Sequence, residues 1–451
     1  MSDRLFGTDG VRGLANGLLT ANLATSLGVA AAQVLTERGD FASHTTDRPF
    51  AIVGRDSRAS GEFLQAAVSA GLASAGVDVI DVGELPTPAV AYLVDVTGAD
   101  LGCMLSASHN AMPDNGIKFF ARGGVKLDDS IEDEIEAHLN RVSELPTGAG
   151  VGRIREDHDL VEKYLHHINS TIDVSLAGMT VVIDGANGAA SLVSPEIFRR
   201  AGATVVAIHC EPTGLNINDG CGSTHLESLM AAVKEHKANL GIAHDGDADR
   251  CLAVNENGEL IDGDQILGLL AMRMNQQNKL AGGTVVATVM SNLGFTQAMS
   301  AAGIETIRTA VGDRYVLEEM RAGNFTLGGE QSGHVILSEY ATTGDGVLTG
   351  LQLAALIKDS GKTASELANQ IQRLPQILIN VKGVDKAGVK HPDVVAAVAE
   401  LERELAGSGR ILLRASGTEP LIRVMVEAST QAQADDVAGR LAAIVQDKCS
   451  I

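Results

Sequence analysis

The run Leu101-Gly-Cys-Met-Leu-Ser-Ala-Ser-His-Asn110 passes from an apolar, strand-like segment straight into two hydroxyls, an imidazole and a carboxamide. Ser108 stands where a strand hands over to a loop, a place suited to a nucleophile. Ser and Asn also make ordinary turns by bonding their own backbone, and alone the run fits that reading equally well. Two further runs share the form. Ala238-Asn-Leu-Gly-Ile-Ala-His-Asp-Gly-Asp-Ala-Asp-Arg250 ends in three alternating carboxylates, and Phe325-Thr-Leu-Gly-Gly-Glu-Gln-Ser-Gly-His334 ends in Glu, Ser and His.

The carboxylates are the sharpest chemical statement. Asp245, Asp247 and Asp249 alternate, so a tight loop can turn all three onto one cation. Hard oxygen ligands with no Cys and one neighbouring His favour Mg²⁺ over zinc. An EF-hand would need Gly where Arg250 stands, and the apolar run Cys251-Leu-Ala-Val254 crosses the required loop. Without a cation the three carboxylates would repel one another. Arg250 is placed either to hold a phosphoryl group or to relieve that repulsion. In Arg414-Ala-Ser-Gly-Thr-Glu-Pro420 the composition is that of a phosphate cradle. Gly417 lets consecutive amides face an anion, Ser416 and Thr418 add hydroxyls, and Arg414 and Arg423 bind oxygens bidentately; the alternative is a plain turn between strands. Lys118, in Asp114-Asn-Gly-Ile-Lys118, could exchange a proton with a transferring oxygen if its neighbours depress its pKa, and His109 is the other candidate.

These loops must be positioned by regular elements. Upstream of each polar loop a helix-like stretch closes on Ala-Gly and gives way to a β-branched run: Ala75-Gly-Val-Asp-Val-Ile80, Ala201-Gly-Ala-Thr-Val-Val206 and Ala302-Gly-Ile-Glu-Thr-Ile307. Earlier still lie Phe50-Ala-Ile-Val-Gly54, Thr180-Val-Val-Ile-Asp184 and Thr284-Val-Val-Ala287, which fit strands buried on both faces of a parallel sheet. The spacing is unequal, which predicts three homologous α/β domains on mixed or parallel sheets rather than a solenoid. In such sheets ligands bind beyond the carboxyl ends of the strands, where all three polar loops fall. The last segment reads differently: Ile377–Val381, a helix over 391–405, Arg410–Leu413, Leu421–Val426 and a helix over 431–445 predict an α+β domain on an antiparallel sheet. The expected limits are 1–155 with the serine loop, 156–258 with the metal loop, 259–373 with the Glu-Gln-Ser loop and 374–451 with the phosphate loop, all around a central cleft.

Composition excludes several classes. A length of 451 residues fits about three to four domains. A formal charge of −22 with no block of Lys and Arg, 3% aromatic residues and no Trp argue against nucleic acid as a partner. Five unpaired-looking cysteines predict free thiols and a reducing cytoplasm. No stretch approaches a membrane span or a secretory signal, so no membrane partner is expected.

Ser106-Ala-Ser-His-Asn110, Asp245-Gly-Asp-Ala-Asp-Arg250, Gly329-Glu-Gln-Ser-Gly-His334 and Arg414-Ala-Ser-Gly-Thr-Glu-Pro420, in this order, resemble the signature loops of the α-D-phosphohexomutase superfamily. Phe6-Gly-Thr-Asp-Gly-Val-Arg-Gly13, the run Gly214–His225, Gln331 and Val311-Gly-Asp-Arg-Tyr-Val316 are similar to its bacterial phosphoglucosamine mutase branch. The resemblance implies that Ser108 is a phosphoserine and that, with Asp245, Asp247 and Asp249, it holds one Mg²⁺ per subunit. It further implies that Glu330 and Ser332 bind sugar hydroxyls and that Arg414, Ser416, Gly417, Thr418 and Arg423 hold the phosphate that is not reacting. Arg12, His109, Lys118 and Arg250 would line the reacting end. One departure is visible: relatives usually carry Pro after the Ser-His-Asn, and here Ala111 stands there, with Pro113 two residues on.

The implied reaction interconverts glucosamine 6-phosphate and glucosamine 1-phosphate through a 1,6-bisphosphate, which also primes the enzyme, and feeds UDP-N-acetylglucosamine and cell-wall precursor synthesis. A kinase acting on Ser108 and a homodimer are the protein partners the resemblance allows. Phosphoglucomutase or phosphomannomutase activity is the alternative within the fold. A Mg²⁺-dependent sugar phosphatase and a non-catalytic sugar-phosphate sensor are the alternatives outside that chemistry.

Overall fold

Short runs of β-branched and apolar residues become the strands, and the polar loops become the connections at their ends. The computed structural model describes residues 4–7, 9–40, 48–139, 141, 144–416 and 421–450. The first sheet comprises β1 (Val11–Leu14), β2 (Phe50–Arg55), β3 (Asp78–Glu84), β4 (Leu101–Leu105), β5 (Asp114–Ala121), β6 (Val125–Lys126) and β7 (Ile154–Glu156). The second comprises β8 (Thr180–Asp184), β9 (Thr204–Ile208), β10 (Leu240–His244), β11 (Cys251–Asn255) and β12 (Leu260–Ile261). In the third stand β13 (Thr284–Thr288), β14 (Glu305–Thr309), β15 (Leu327–Gly329) and β16 (Val335–Leu337).

One arrangement recurs in all three. The orders β3-β2-β4-β5, β9-β8-β10-β11 and β14-β13-β15-β16 are the same four-strand pattern, with three parallel strands and an antiparallel fourth. In each case the chemically rich loop joins the third strand to the fourth, so it emerges at the carboxyl end of a parallel strand. All five residues of β4 and all five of β10 are buried. Burial on both faces makes these strands rigid mounts for the loops, each large apolar side chain contributing about 2 kcal/mol. Helices over Ala21–Arg38 and Ala59–Ser74 pack closely against each other: a Cβ on Gly28 would lie 2.6 Å from the Val68 carbonyl oxygen, and one on Gly71 2.3 Å from that of Thr25.

The chain divides into two compact units, Met1–Met290 with Ile304–Asn369, and Ser291–Gly303 with Gln370–Ile451. In the second, β17 (Gln376–Lys382), β18 (Arg410–Ala415) and β19 (Leu421–Glu427) form an antiparallel sheet in the order β17-β19-β18. Helices over Pro392–Leu405 and Gln431–Cys449 share its core, which includes Leu401, Leu405, Val424, Val437 and Leu441. The last helix runs four residues past the expected end at 445. The stretch after β13 is fastened into this unit: the Asn292 carboxamide bonds both the amide and the carbonyl of Leu374, and the Leu293 amide donates to Glu427 Oε2 at 2.8 Å. Among the described residues no helix is long and apolar enough to cross a membrane. All five cysteines are free thiols.

Candidate active site

Ser108 follows β4 with φ at +50° and is almost wholly buried. Its Oγ donates to Asp245 Oδ2 at 2.5 Å and lies 3.2 Å from His109 Nδ1. Asp245 comes from the hairpin between β10 and β11, so the two loops expected to cooperate do meet. Asp245, Asp247 and Asp249 are buried, and one oxygen from each lies within 4.8 Å of the others. Ala248 at φ +57° makes the reversal that brings Asp247 and Asp249 to the same side. Gly246 lets the loops approach: a Cβ there would fall 2.6 Å from the Ser108 carbonyl oxygen.

Electrostatics mark the centre as one that wants a cation. Burial, then the neighbouring carboxylate Asp249, pushes the pKa of Asp245 up; burial with Asp249 and Asp245 pushes Asp247 up further. Asp247 Oδ2 accepts from Thr87 Oγ1 at 2.6 Å, while Asp247 Oδ1 and Asp249 Oδ1 are buried with no hydrogen-bond partner. Orphaned buried carboxylate oxygens at the point where three acids converge fit a divalent cation, and the donor set of oxygens suits Mg²⁺. His334 Nδ1 stands 3.6 Å from Asp249 Oδ2 and steadies it from the third sheet.

Cations face this cluster. Lys118, on β5, puts Nζ 2.8 Å from Asp9 Oδ2 and 4.0 Å from Asp247 Oδ2; Arg12 also pairs with Asp9, and Lys126 reaches Asp9 Oδ1 at 3.4 Å. The sequence expectation tied proton exchange at Lys118 to a depressed pKa. The direction is the reverse: burial pulls it down, but Asp9, Asp247 and Asp249 outweigh that and raise it, so Lys118 stays an ammonium ion. His109 goes the other way. Burial, then Arg250 and Arg12, lowers its pKa to about 4, leaving a neutral imidazole beside Ser108 Oγ. Arg250 Nε lies 3.8 Å from Asp249 Oδ1, and both Arg250 Nε and Arg12 Nε are buried without a hydrogen-bond partner. Donors left over next to acceptors left over describe a site shaped for a phosphorylated ligand and its counter-ion.

Glu330 and Ser332 sit in the hairpin between β15 and β16. Glu330 Oε1 accepts from the Gly312 amide at 3.1 Å, which ties the Gly-Asp-Arg-Tyr run to this hairpin, and Ser332 Oγ is buried and unpartnered. Gln331 Nε2 reaches Asp262 Oδ2 at 3.4 Å rather than the carboxylate cluster. In the C-terminal unit Arg414 and Arg423 are register partners on β18 and β19, Arg423 Nε is buried without a hydrogen-bond partner, and Ser416 follows β18. Gly417 and Thr418 lie outside the described residues.

Several contributors escaped the sequence reading. Asp9 and Asn218 lie in runs that the family resemblance picks out, but without a role of their own there, and Thr87 lies in none of those runs; their partners Lys118, Ser108 and Asp247, in that order, lie far away in the chain. Asp56 and Arg58 follow β2 in the run Gly54-Arg-Asp-Ser-Arg58, which carries the same signal of an apolar strand entering a charged loop. Arg58 is fully buried and bonds the serine loop.

Comparisons with known proteins bear on the whole chain. Family models described as phosphoglucomutase/phosphomannomutase match in four pieces: alpha/beta/alpha domain I over residues 3–146, domain II over 162–258, domain III over 262–374 and the C-terminal domain over 378–444. A phosphoglucosamine mutase of Streptomyces griseus is 63% identical over 449 residues, spanning 98% of this chain and 99% of that protein. A phosphoglucomutase/phosphomannomutase family protein from Burkholderia thailandensis shares the fold with a TM-score of 0.82 at 24% identity, covering 99% of this chain and 98% of that one. The Aspergillus fumigatus N-acetylphosphoglucosamine mutase, solved with GlcNAc-6P and magnesium, aligns with a TM-score of 0.68 at 17% identity over 98% of this chain and 96% of its own.

Proposed function

From its membership of the phosphoglucomutase/phosphomannomutase family, to which the chain belongs along its whole length and within which it stands with the phosphoglucosamine mutases, we propose the following reaction. Glucosamine 6-phosphate and glucosamine 1-phosphate are interconverted by phosphoryl transfer through Ser108. The observation that carries this is the Ser108 Oγ held 2.5 Å from Asp245 beside two orphaned carboxylate oxygens, an arrangement no structural turn requires.

Phosphorylated Ser108 hands its phosphoryl group to the free hydroxyl of the sugar phosphate, giving glucosamine 1,6-bisphosphate. The bisphosphate turns around and returns its other phosphoryl group to Ser108. Asp245, Asp247 and Asp249, with the phosphoserine, are the residues that would hold one Mg²⁺ per chain. A divalent ion so held supplies charge neutralisation for the transferring phosphoryl oxygens. Arg12, Arg250 and the ammonium of Lys118 bind those oxygens and orient them. Neutral His109, 3.2 Å from Ser108 Oγ, accepts the proton of the attacking hydroxyl and returns it to the departing serine oxygen, while Lys118, kept charged by Asp9, neutralises the charge that builds on that oxygen. Glu330 and Ser332 bind the sugar hydroxyls; Arg414, Ser416, Gly417, Thr418 and Arg423 bind the second phosphate. The first phosphoryl group comes from the bisphosphate itself or from a kinase.

The test is ³¹P NMR of the full chain with Mg²⁺, a trace of glucosamine 1,6-bisphosphate and glucosamine 6-phosphate, run beside glucose 6-phosphate and mannose 6-phosphate. An anomeric phosphate signal growing fastest with the amino sugar is the expected result. Release of inorganic phosphate would make the protein a phosphatase, faster growth with glucose or mannose would change the substrate, and an unchanged spectrum would leave a binding protein.

A further inference from the structure

Ser108 keeps φ at +50°, a left-handed conformation that residues other than glycine seldom hold without external support. No proline lies between Ser106 and Ala111 to stiffen the turn. The support comes from one buried side chain. Arg58 Nη2 donates to the carbonyl oxygens of Ser108 at 2.9 Å and Asn110 at 2.8 Å, and Nη1 to those of Ala111 at 2.6 Å and Asp114 at 3.0 Å. Its Nε donates to Asp56 Oδ2 at 2.9 Å. All five guanidinium N–H groups are thereby used, four of them on the seven-residue span that begins at Ser108. Asp56 Oδ2 also accepts from Ser106 Oγ at 2.6 Å, and Ser106 Oγ in turn accepts from the Ser108 amide at 2.9 Å.

We infer that Arg58, acting with Asp56 and Ser106, is a positioning residue for phosphoryl transfer: it fixes both the amide and the carbonyl of Ser108, and so aims Oγ at the carboxylate cluster. Arg58 does not touch the reacting atoms. A guanidinium is suited to the task because its fork of donors is planar and rigid, whereas an ammonium offers three donors and cannot reach four carbonyls and a carboxylate together. Asn218 adds a lesser tether, its Nδ2 meeting the same two carbonyls, of Ser108 at 2.8 Å and Asn110 at 3.1 Å. The inference rests on Ser108 being the phosphoryl carrier.

The experiment compares wild type, Arg58→Lys and Ser106→Ala in the full chain with Mg²⁺, reading kcat, KM for glucosamine 6-phosphate, phosphoserine content and the melting temperature. Arg58→Lys is expected to lower kcat by about 100-fold with KM unchanged, since misplacing a reacting group costs turnover rather than binding. Ser106→Ala leaves the Asp56–Arg58 pair in place, and is expected to lower kcat about tenfold at unchanged KM, with a melting temperature lower by only a few degrees because the buried Ser108 amide loses its acceptor. It decides the matter if Arg58→Lys fails to fold. A kcat within about twofold of wild type in Ser106→Ala, or a loss carried by KM or by a lower melting temperature alone, overturns the inference. If wild type itself shows neither turnover nor phosphoserine, the functional reading falls first. If wild type turns over and the variants match it, only the positioning role falls.

Discussion

Ser108 and Asp245 lie 137 residues apart in sequence, yet the serine Oγ donates to the Asp245 carboxylate at 2.5 Å. The contact joins the hairpin that follows β4 to the one that follows β10, the equivalent connection in two copies of the same sheet. A hydroxyl whose proton points at a carboxylate, beside a neutral imidazole, is ready to become a phosphoester held close to a cation. Ser108→Ala should abolish phosphoserine, read by mass spectrometry, and lower mutase turnover by at least about 10³-fold, while sugar-phosphate binding measured by calorimetry is retained.

In the proposed metal site, the repulsion among the three buried carboxylates is a cost to the metal-free protein. Asp247→Asn removes one of the mutually repelling charges, so the variant should melt at a higher temperature than wild type in EDTA. Mg²⁺ should raise the melting temperature of wild type, corresponding to about 2.7 kcal/mol at a hundredfold excess over Kd, and leave the variant nearly unmoved. Scanning calorimetry with and without Mg²⁺ checks both signs at once.

Gly246 governs how near the metal loop comes to the serine loop. A methyl group there would stand 2.6 Å from the Ser108 carbonyl oxygen, 2.8 Å from Ile217 Cδ1 and 2.9 Å from Asn218 Nδ2, so one loop must retreat. Gly246→Ala should cost about 100-fold in kcat, with the midpoint of Mg²⁺ activation shifted far less, because the carboxylates move together while Oγ is left behind. An unchanged kcat would show that the loops have slack.

Glu132 offers a pH signature away from the reacting centre. It is buried near Arg4, 3.1 Å away, and burial raises its pKa from 4.5 to about 7 against the pull of Lys126 and Arg4. The folded state therefore keeps this proton longer than the unfolded chain does. Stability from this group is full below pH 4.5, falls as pH rises through the interval up to about 7, and stays low above it. Glu132→Gln cannot lose a proton, so its melting temperature should gain on wild type by about 2 °C between acid and alkaline ends of that interval. A gap that is flat with pH would contradict the raised pKa.

The sequence by itself determined which loops carry chemistry and how the strands that mount them recur. Those signals are local: a β-branched run, a glycine after a helix and alternating carboxylates are each read within about ten residues. Three copies of the same run-and-loop form suffice to predict three homologous sheets, and Asp245, Asp247 and Asp249 stand out by residue type and spacing, whereas the role of Ser108 comes from the resemblance of the four loops to a known family. Tertiary structure decided the rest. The acceptors that Arg58 grips are backbone carbonyls, which every residue possesses and no sequence pattern displays. The charge of Lys118 is set by Asp9, Asp247 and Asp249, each more than 100 residues away in the chain, so its neighbours raise the pKa that proton exchange would have needed them to depress. The stretch Ser291–Gly303 belongs to the same compact unit as the C-terminal sheet although the expected limits put it in the preceding domain, and the Asn292 carboxamide bonds Leu374 across 82 residues, a pairing that adjacency along the chain does not display. Pattern specifies elements and the residues at their ends; which distant groups share a buried space, and so what protonation and geometry they hold, is fixed only when the chain is packed.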